Sequence, residues 1–255
     1  VNALIFDTET TDKKEGEIIE AAWLRLAPVE DLAGSTDRIC IDVAEEFCRR
    51  YQPTKPMTFG AIAVHHILPS ELDDCEPCST FALPADCTYV IGHSVDFDWE
   101  AAGSPKHIKR IDTHAIAQWQ WPDATGYSQS ALIYMLEGAT PATRLLLKNA
   151  HSALADVRIN LLLLSYILKL KPEIQTWSEL WEYSERCRIP RTCPMKKYEG
   201  VLLADLDDGF IDWCLRQDWL DPYYRKGLEL VMEERYPRTP ISAPSEVEAD
   251  DDIPW

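Results

Sequence analysis

Residues 3–10 read ALIFDTET. Four apolar residues followed by an acid read as a buried strand, ALIFD, that enters a polar turn. Side chains alternate along a strand, so Asp7 and Glu9, two apart, point to the same side of the sheet. Two carboxylates on one face repel unless something cationic lies between them, and hard oxygen ligands of this kind suit Mg²⁺ or Mn²⁺. A D-x-E pair is also ordinary turn chemistry, so its meaning depends on what the rest of the chain brings to it.

Working outward, EIIEAAWLRLA (17–27) fits a second strand, joined to the first by a Lys/Gly-rich turn. Residues 39–51, ICIDVAEEFCRRY, fit strand or helix equally. FGAIAVHHI (59–67) suggests a short helix, with the turn PSELDD after it. TYVIGHS (88–94) reads as a third buried strand, and DFDWEAAG starts the following helix. HIKRIDTHAIAQWQW gives another strand and a helix that Pro122 ends. Ser128–Leu136 and residues 151–171, the latter stopped by Pro172, carry apolar residues at helical spacing. Strand-turn-strand followed by alternating strands and helices predicts a mixed α/β layer fold. WSELWEYSER is a further helix. In the segment after 190, Asp221-Pro222 supplies a cap and a first-turn proline. After Pro237 the chain is proline-rich and acidic, a composition that predicts disorder.

The 255 residues suffice for one full core plus a smaller module. With 25 basic and 43 acidic residues, the net charge of −18 has the wrong sign for coating DNA electrostatically. Five of the acids, Glu246, Glu248 and Asp250–Asp252, lie in the tail. One basic run stands out: Arg186, Arg188, Arg191, Lys196 and Lys197, the best candidate for gripping phosphates. No leader pattern opens the sequence and no apolar run is long enough to span a bilayer, so a cytoplasmic location is expected. Cys75 and Cys78 form a C-x-x-C, but nothing completes a zinc site around them, and the eight cysteines read as reduced structural thiols.

Two further acid clusters complete the pattern. In GHSVDFD, Asp98 follows a buried strand at the start of a helix, with Asp96 beside it. In HSALAD, His151 and Asp156 are five apart, about 500° on an ideal helix. They converge only if His151 lies in the loop before the helix and Asp156 in its second turn. A strand-end D-x-E, a later G-H-x-x-x-F-D and a final H-x-x-x-x-D, in that order, resemble the DEDDh 3′→5′ exonucleases. The likeness is greatest to the exodeoxyribonuclease X branch and runs through AIAVHHI and WPDATGYSQSALIYM into KYEG and FIDWCL.

The resemblance implies a ribonuclease H-like fold with a mixed five-stranded sheet, flanking helices, a small, mostly helical C-terminal module and a disordered tail. It implies an exonuclease domain over 1–172, a helical linker over 173–189, the module over 190–236 and the tail over 237–255. It also implies two Mg²⁺ or Mn²⁺ ions, with Asp7, Glu9 and Asp156 as direct ligands, Asp98 as ligand of the second ion and His151 as general base. Thr8, Thr10 and His65 would lie near the terminal nucleotide. The expected substrate is a DNA 3′ end, in a bacterial or phage protein of DNA repair or recombination. An RNA-directed exonuclease keeps the same site, since telling the two substrates apart rests on contacts to the 2′-OH. An adaptor acting through the tail is the reading from another class.

Two departures matter. Ser94 stands where the family usually has Asn, and MKKY replaces a Phe-Gly-Lys-Tyr pattern at Met195 and Lys196. The last six residues, Asp250, Asp251, Asp252, Ile253, Pro254 and Trp255, resemble the Asp-Asp-Asp-Ile-Pro-Phe tip of bacterial single-stranded-DNA-binding protein, with Trp255 for Phe. That resemblance implies docking on the proteins that bind this tip.

Overall fold

The structure, a computed structural model, describes residues 1–30 and 34–237. The expectations placed on the acidic tail, DDDIPW included, lie outside the described residues. The chain divides into two compact units, Val1–Arg188 and Ile189–Trp255.

The first unit is built on a sheet of order β4-β3-β2-β1-β5-β6. β1 (Ala3–Thr10) pairs antiparallel with β2 (Ile18–Leu26), which pairs antiparallel with β3 (Val43–Gln52). After α1 (Phe59–His65), the two-residue β4 (Glu76–Pro77) lies parallel to the end of β3. β5 (Tyr89–Gly92) pairs parallel with β1, and α2 (Asp96–Ala101) leads to β6 (Lys109–Asp112), parallel to β5. The five strands expected for the fold are present, and β4 adds a short sixth at the edge.

Cross-strand pairing decides what periodicity left open. Residues 43–52 form β3 because Phe47 stands in register with Trp23, their rings stacked at 3.7 Å, a contact that a helix would forfeit. β1 runs on to Thr10 instead of turning at Asp7, since β2 continues to pair through Thr8↔Ala21 and Glu9↔Glu20.

Helices cover both sheet faces. After β6 come α3 (Thr113–Gln120), α4 (Gln129–Glu137), α5 (Pro141–Leu146) and α6 (Ala153–Leu170). Ala3, Ile5, Ala22 and Leu24 share a buried core with Val157, Leu163, Leu164 and Ile167 of α6. Leu4, Phe6, Ala21 and Trp23 point the other way, into a second core that Trp99 of α2 packs against. α7 (Trp177–Cys187), within the segment read as a linker, contributes Trp177, Leu180 and Cys187 to the first core and packs on α3 and β6. Each such apolar side chain contributes about 1.5–3 kcal/mol by leaving water. α7 is therefore an integral layer of this unit. No helix among the described residues is long and apolar enough to cross a membrane.

The second unit has its own core, with Cys193, Leu203, Ile211, Cys214, Tyr224 and Leu228 buried together. α8 (Asp208–Leu215) is capped by Asp207, and α9 (Pro222–Arg235) by Asp221, whose carboxylate accepts from the Tyr223 and Tyr224 N–H groups. The proline sits at the first turn, as the Asp-Pro signal predicts. Gly227 lets α9 pack closely here, because a Cβ would stand 2.7 Å from Leu203 Cδ1 and displace that side chain. Met195, one of the departures from the family pattern, packs against this core with its sulfur 3.7 Å from Cys214 Sγ.

Candidate active site

The two-residue period of β1 builds the site. Asp7 and Glu9 continue the Ala3/Ile5 face, which α6 covers, so Asp156 in the first turn of α6 meets them. Asp7, Glu9 and Asp156 each offer a carboxylate oxygen within 4.8 Å of the others. Thr8 lies on the opposite face, with Leu4 and Phe6, and there it catches Asp98 from α2. Asp98 Oδ1 accepts from the Thr8 N–H at 2.9 Å and from Thr8 Oγ1 at 2.7 Å.

The electrostatics of this group are unfavourable by construction. Burial, and then the charges of Asp98, Asp156, Glu9 and Glu20, push the Asp7 carboxyl well above the usual carboxylate range. Burial, followed by Asp156, Glu20 and Asp98, pushes Glu9 up to about 8. Asp98 is pushed up to about 7 by burial, against the two Thr8 hydrogen bonds that favour its charged form. Asp156 is also raised by burial, with the His151 N–H opposing it. Four carboxylates held together without a matching cation are costly, because each charge is desolvated and faces the others. The donor set is all carboxylate oxygen, and a hard divalent cation would relieve the repulsion, so these residues fit Mg²⁺ or Mn²⁺.

His151 lies in the loop before α6, exposed and with φ of 70°, a left-handed conformation uncommon for a non-glycine residue. Its backbone N–H reaches both Asp156 carboxylate oxygens, at 3.4 and 3.3 Å. The loop placement matches the condition for convergence set by the spacing, but Asp156 is one turn earlier than expected. Ser94 also adopts a positive φ, 69°, and its N–H is held by Asp112 Oδ1 at 3.0 Å. Asn is enriched in that region of backbone space, and Ser is less often found there. Ser94 is held in it by Asp112.

Thr8, Glu9, Thr10 and His65 line one cavity of about 140 Å³, together with Val64 and Phe97. His65 is buried, its Nδ1 accepts from the Ile67 N–H at 3.0 Å, and burial lowers its pKa, so the ring is neutral with its proton on Nε2.

The basic run is divided between the two units. Arg188 has a side chain that is 4% exposed and paired with Asp96 at 2.8 Å, which leaves little of it open to a phosphate. Arg186 lies over the Tyr183 ring at 5.9 Å, and Lys197 over the Tyr198 ring at 4.7 Å. Arg191 and Lys196 belong to the second unit with Lys197.

One residue of the site escaped the sequence reading. Glu20 is buried in β2, directly opposite Glu9, and it adds to the repulsion on Asp7, Glu9 and Asp156. An acid flanked by apolar residues, in IIEAAW, was the available signal.

No protein-family model matches the chain, and no curated protein matches it. Among solved structures, exonuclease X in complex with 5′-overhanging duplex DNA is similar at 21% identity and a TM-score of 0.54, covering 71% of this chain and 99% of that one. E. coli exonuclease I with a dA16 oligonucleotide aligns at 17% identity and a TM-score of 0.48, over 73% of this chain and 44% of that one. Cell-death related nuclease 4 aligns at 13% and 0.47, over 66% and 64%. The chain therefore has the ribonuclease H-like fold found in exonuclease X.

Proposed function

We propose that the protein is a divalent-metal-dependent 3′→5′ DNA exonuclease that releases mononucleotides by hydrolysing the terminal phosphodiester. The observation that carries this reading is the convergence of Asp7, Glu9 and Asp156 within 4.8 Å beside an exposed histidine on the adjoining loop. Asp7, Glu9 and Asp156 would hold one Mg²⁺ or Mn²⁺ ion, and Asp7 with Asp98 a second. When bound, such ions lower the pKa of water and steady the departing oxygen. His151 takes the proton from the attacking water, a task suited to an imidazole near neutral pH. Thr8, Thr10 and the neutral His65 line the cavity next to Glu9 and orient the terminal nucleotide.

Likeness of fold to an exonuclease X solved with duplex DNA supports DNA as the substrate. In a chain of net charge −18, Arg186, Arg191, Lys196 and Lys197 would supply the phosphate contacts. The acidic tip Asp250–Trp255 would dock on proteins that bind the tip of single-stranded-DNA-binding protein, a role separable from catalysis. Removal of Ile253–Trp255 should abolish that binding and leave nuclease activity unchanged.

The test uses 3′- and 5′-labelled single- and double-stranded DNA and RNA, with Mg²⁺, Mn²⁺ or EDTA. Mononucleotides should leave from 3′ ends of DNA, and EDTA should stop the reaction. Asp7→Ala and His151→Ala should each lose about 100-fold or more. If both variants digest DNA as fast as wild type, the site assignment fails. Degradation of RNA in preference to DNA would instead move the substrate.

A further inference from the structure

Glu20 sits in the middle of a row that crosses three strands. It pairs in register with Glu9 of β1 on one side and Arg50 of β3 on the other, so the three side chains share one sheet face. Two carboxylates directly opposite each other are destabilising unless a cation intervenes. Arg50 Nε lies 3.0 Å from Glu20 Oε1, and Arg50 Nη1 is itself held by Glu71 Oε1 at 2.9 Å. Thus the acid opposite Glu9 is braced from the side away from the site.

Its second oxygen does something else. Glu20 Oε2 accepts the backbone N–H of Ala153 at 3.0 Å, a buried bond between groups 133 residues apart in sequence. Ala153 is the first residue of α6, where an N–H has no acceptor within the helix. The usual cap, Ser152, is engaged with the Ala155 N–H. The strand carboxylate therefore completes the cap and pins the backbone between His151 and Asp156, whose mutual bond closes the same loop. Glu20 is not a member of the three-carboxylate group.

We infer that Glu20 is a positioning residue, which sets His151 and Asp156 by holding the first N–H of α6 against the sheet. This rests on the nuclease reading above. A geometric role and a charge role make opposite demands. Glu20→Gln keeps an acceptor within reach of Ala153 but loses the charge. Glu20→Asp keeps the charge but falls one methylene short. Positioning predicts that Glu20→Gln keeps kcat within about threefold, while Glu20→Asp and Glu20→Ala lose about tenfold or more with KM for DNA nearly unchanged. In a His151→Ala background, Glu20→Asp should cost less than it does in the wild type, because the part of its effect that acts through His151 is already lost and only the part through Asp156 remains.

Amide exchange gives a readout that does not need activity. The Ala153 N–H should exchange about tenfold faster in Glu20→Asp and Glu20→Ala, and near the wild-type rate in Glu20→Gln. An active Glu20→Asp with an inactive Glu20→Gln would overturn the inference, as would losses that multiply with His151→Ala. It also fails if activity follows melting temperature instead of Ala153 exchange. Absence of nuclease activity in the wild type would sink the proposed function, while the exchange measurement would still decide the contact.

Discussion

On α2, Asp96 meets Arg110 at 2.6 Å and Arg188 at 2.8 Å, whereas Asp98, two residues on, is held only by the neutral donors of Thr8. Asp96 is 42% exposed, and Asp98 is 4% exposed. The more solvated acid has two cationic partners, and the buried one has none among the described residues. A fold selected only for stability would match charges the other way, since desolvation is costly at the buried position. The mismatch suits a cation site, where carboxylates held close together gain from a positive charge between them.

The largest expected effect separates the two acids by function. Asp98→Ala should lose about 100-fold or more in kcat/KM, equivalent to roughly 2.7 kcal/mol of transition-state stabilisation, with melting temperature unchanged or raised. Asp96→Ala should keep activity within about threefold. It should cost about 2 kcal/mol of stability by removing the nearer of the carboxylates paired with the buried Arg188 guanidinium, Glu185 remaining at 3.5 Å, less than for a fully buried pair because Asp96 is half-exposed. In a unit of this size that is a fall of roughly 5 °C. Equal activities for the two variants would erase the contrast.

A second test uses pH. Glu9 and Asp98 are raised in the fold to about 8 and about 7, so between their ordinary values and these the unfolded chain has released protons that the folded one retains. Stability of the metal-free protein must then fall as pH rises toward 8. His93, pushed by burial down to about 4, acts in the opposite sense, but only below its ordinary value near 6.5. Across pH 6.5–8 the carboxylates act alone. Melting curves in EDTA should drop over this window, and added Mn²⁺ should restore most at pH 8, where it meets the most charge. A flat profile would show that the acids are not strained.

The smallest effect concerns the Thr8 hydroxyl. Thr8→Val removes one of the two bonds to Asp98 and leaves the backbone bond in place, so activity should fall about tenfold, the value of one hydrogen bond to a charged group. A loss as deep as that of Asp98→Ala would mean that the hydroxyl acts mainly on the terminal nucleotide and not through its bond to Asp98.

Much of this architecture was legible in the sequence because it is local. Alternation along β1 placed Asp7 and Glu9 on one face, and Asp221-Pro222 announced α9. The spacing of His151 and Asp156 allowed them to converge with His151 in a loop before the helix, and His151 is in that loop, though Asp156 lies in the first turn and not the second. Other features were not legible. Residues 43–52 became a strand through Trp23, 24 positions from Phe47 in the chain but stacked on it in the sheet. Arg188 looked like part of a basic run until Asp96 and the core around α7 enclosed it.

Glu20 marks the boundary most clearly. By sequence it is one acid in an apolar strand, with nothing nearby to explain it. Its partners, Arg50, Ala153 and the facing Glu9, come from three other segments and meet only when the sheet is paired and α6 is docked. Periodicity and caps depend on neighbours within a few residues, so the sequence alone determined which side chains share a face and where helices begin. Desolvation and charge pairing depend on what is brought close from far along the chain, so only the tertiary structure decided which acids are braced and which are left to wait for a cation.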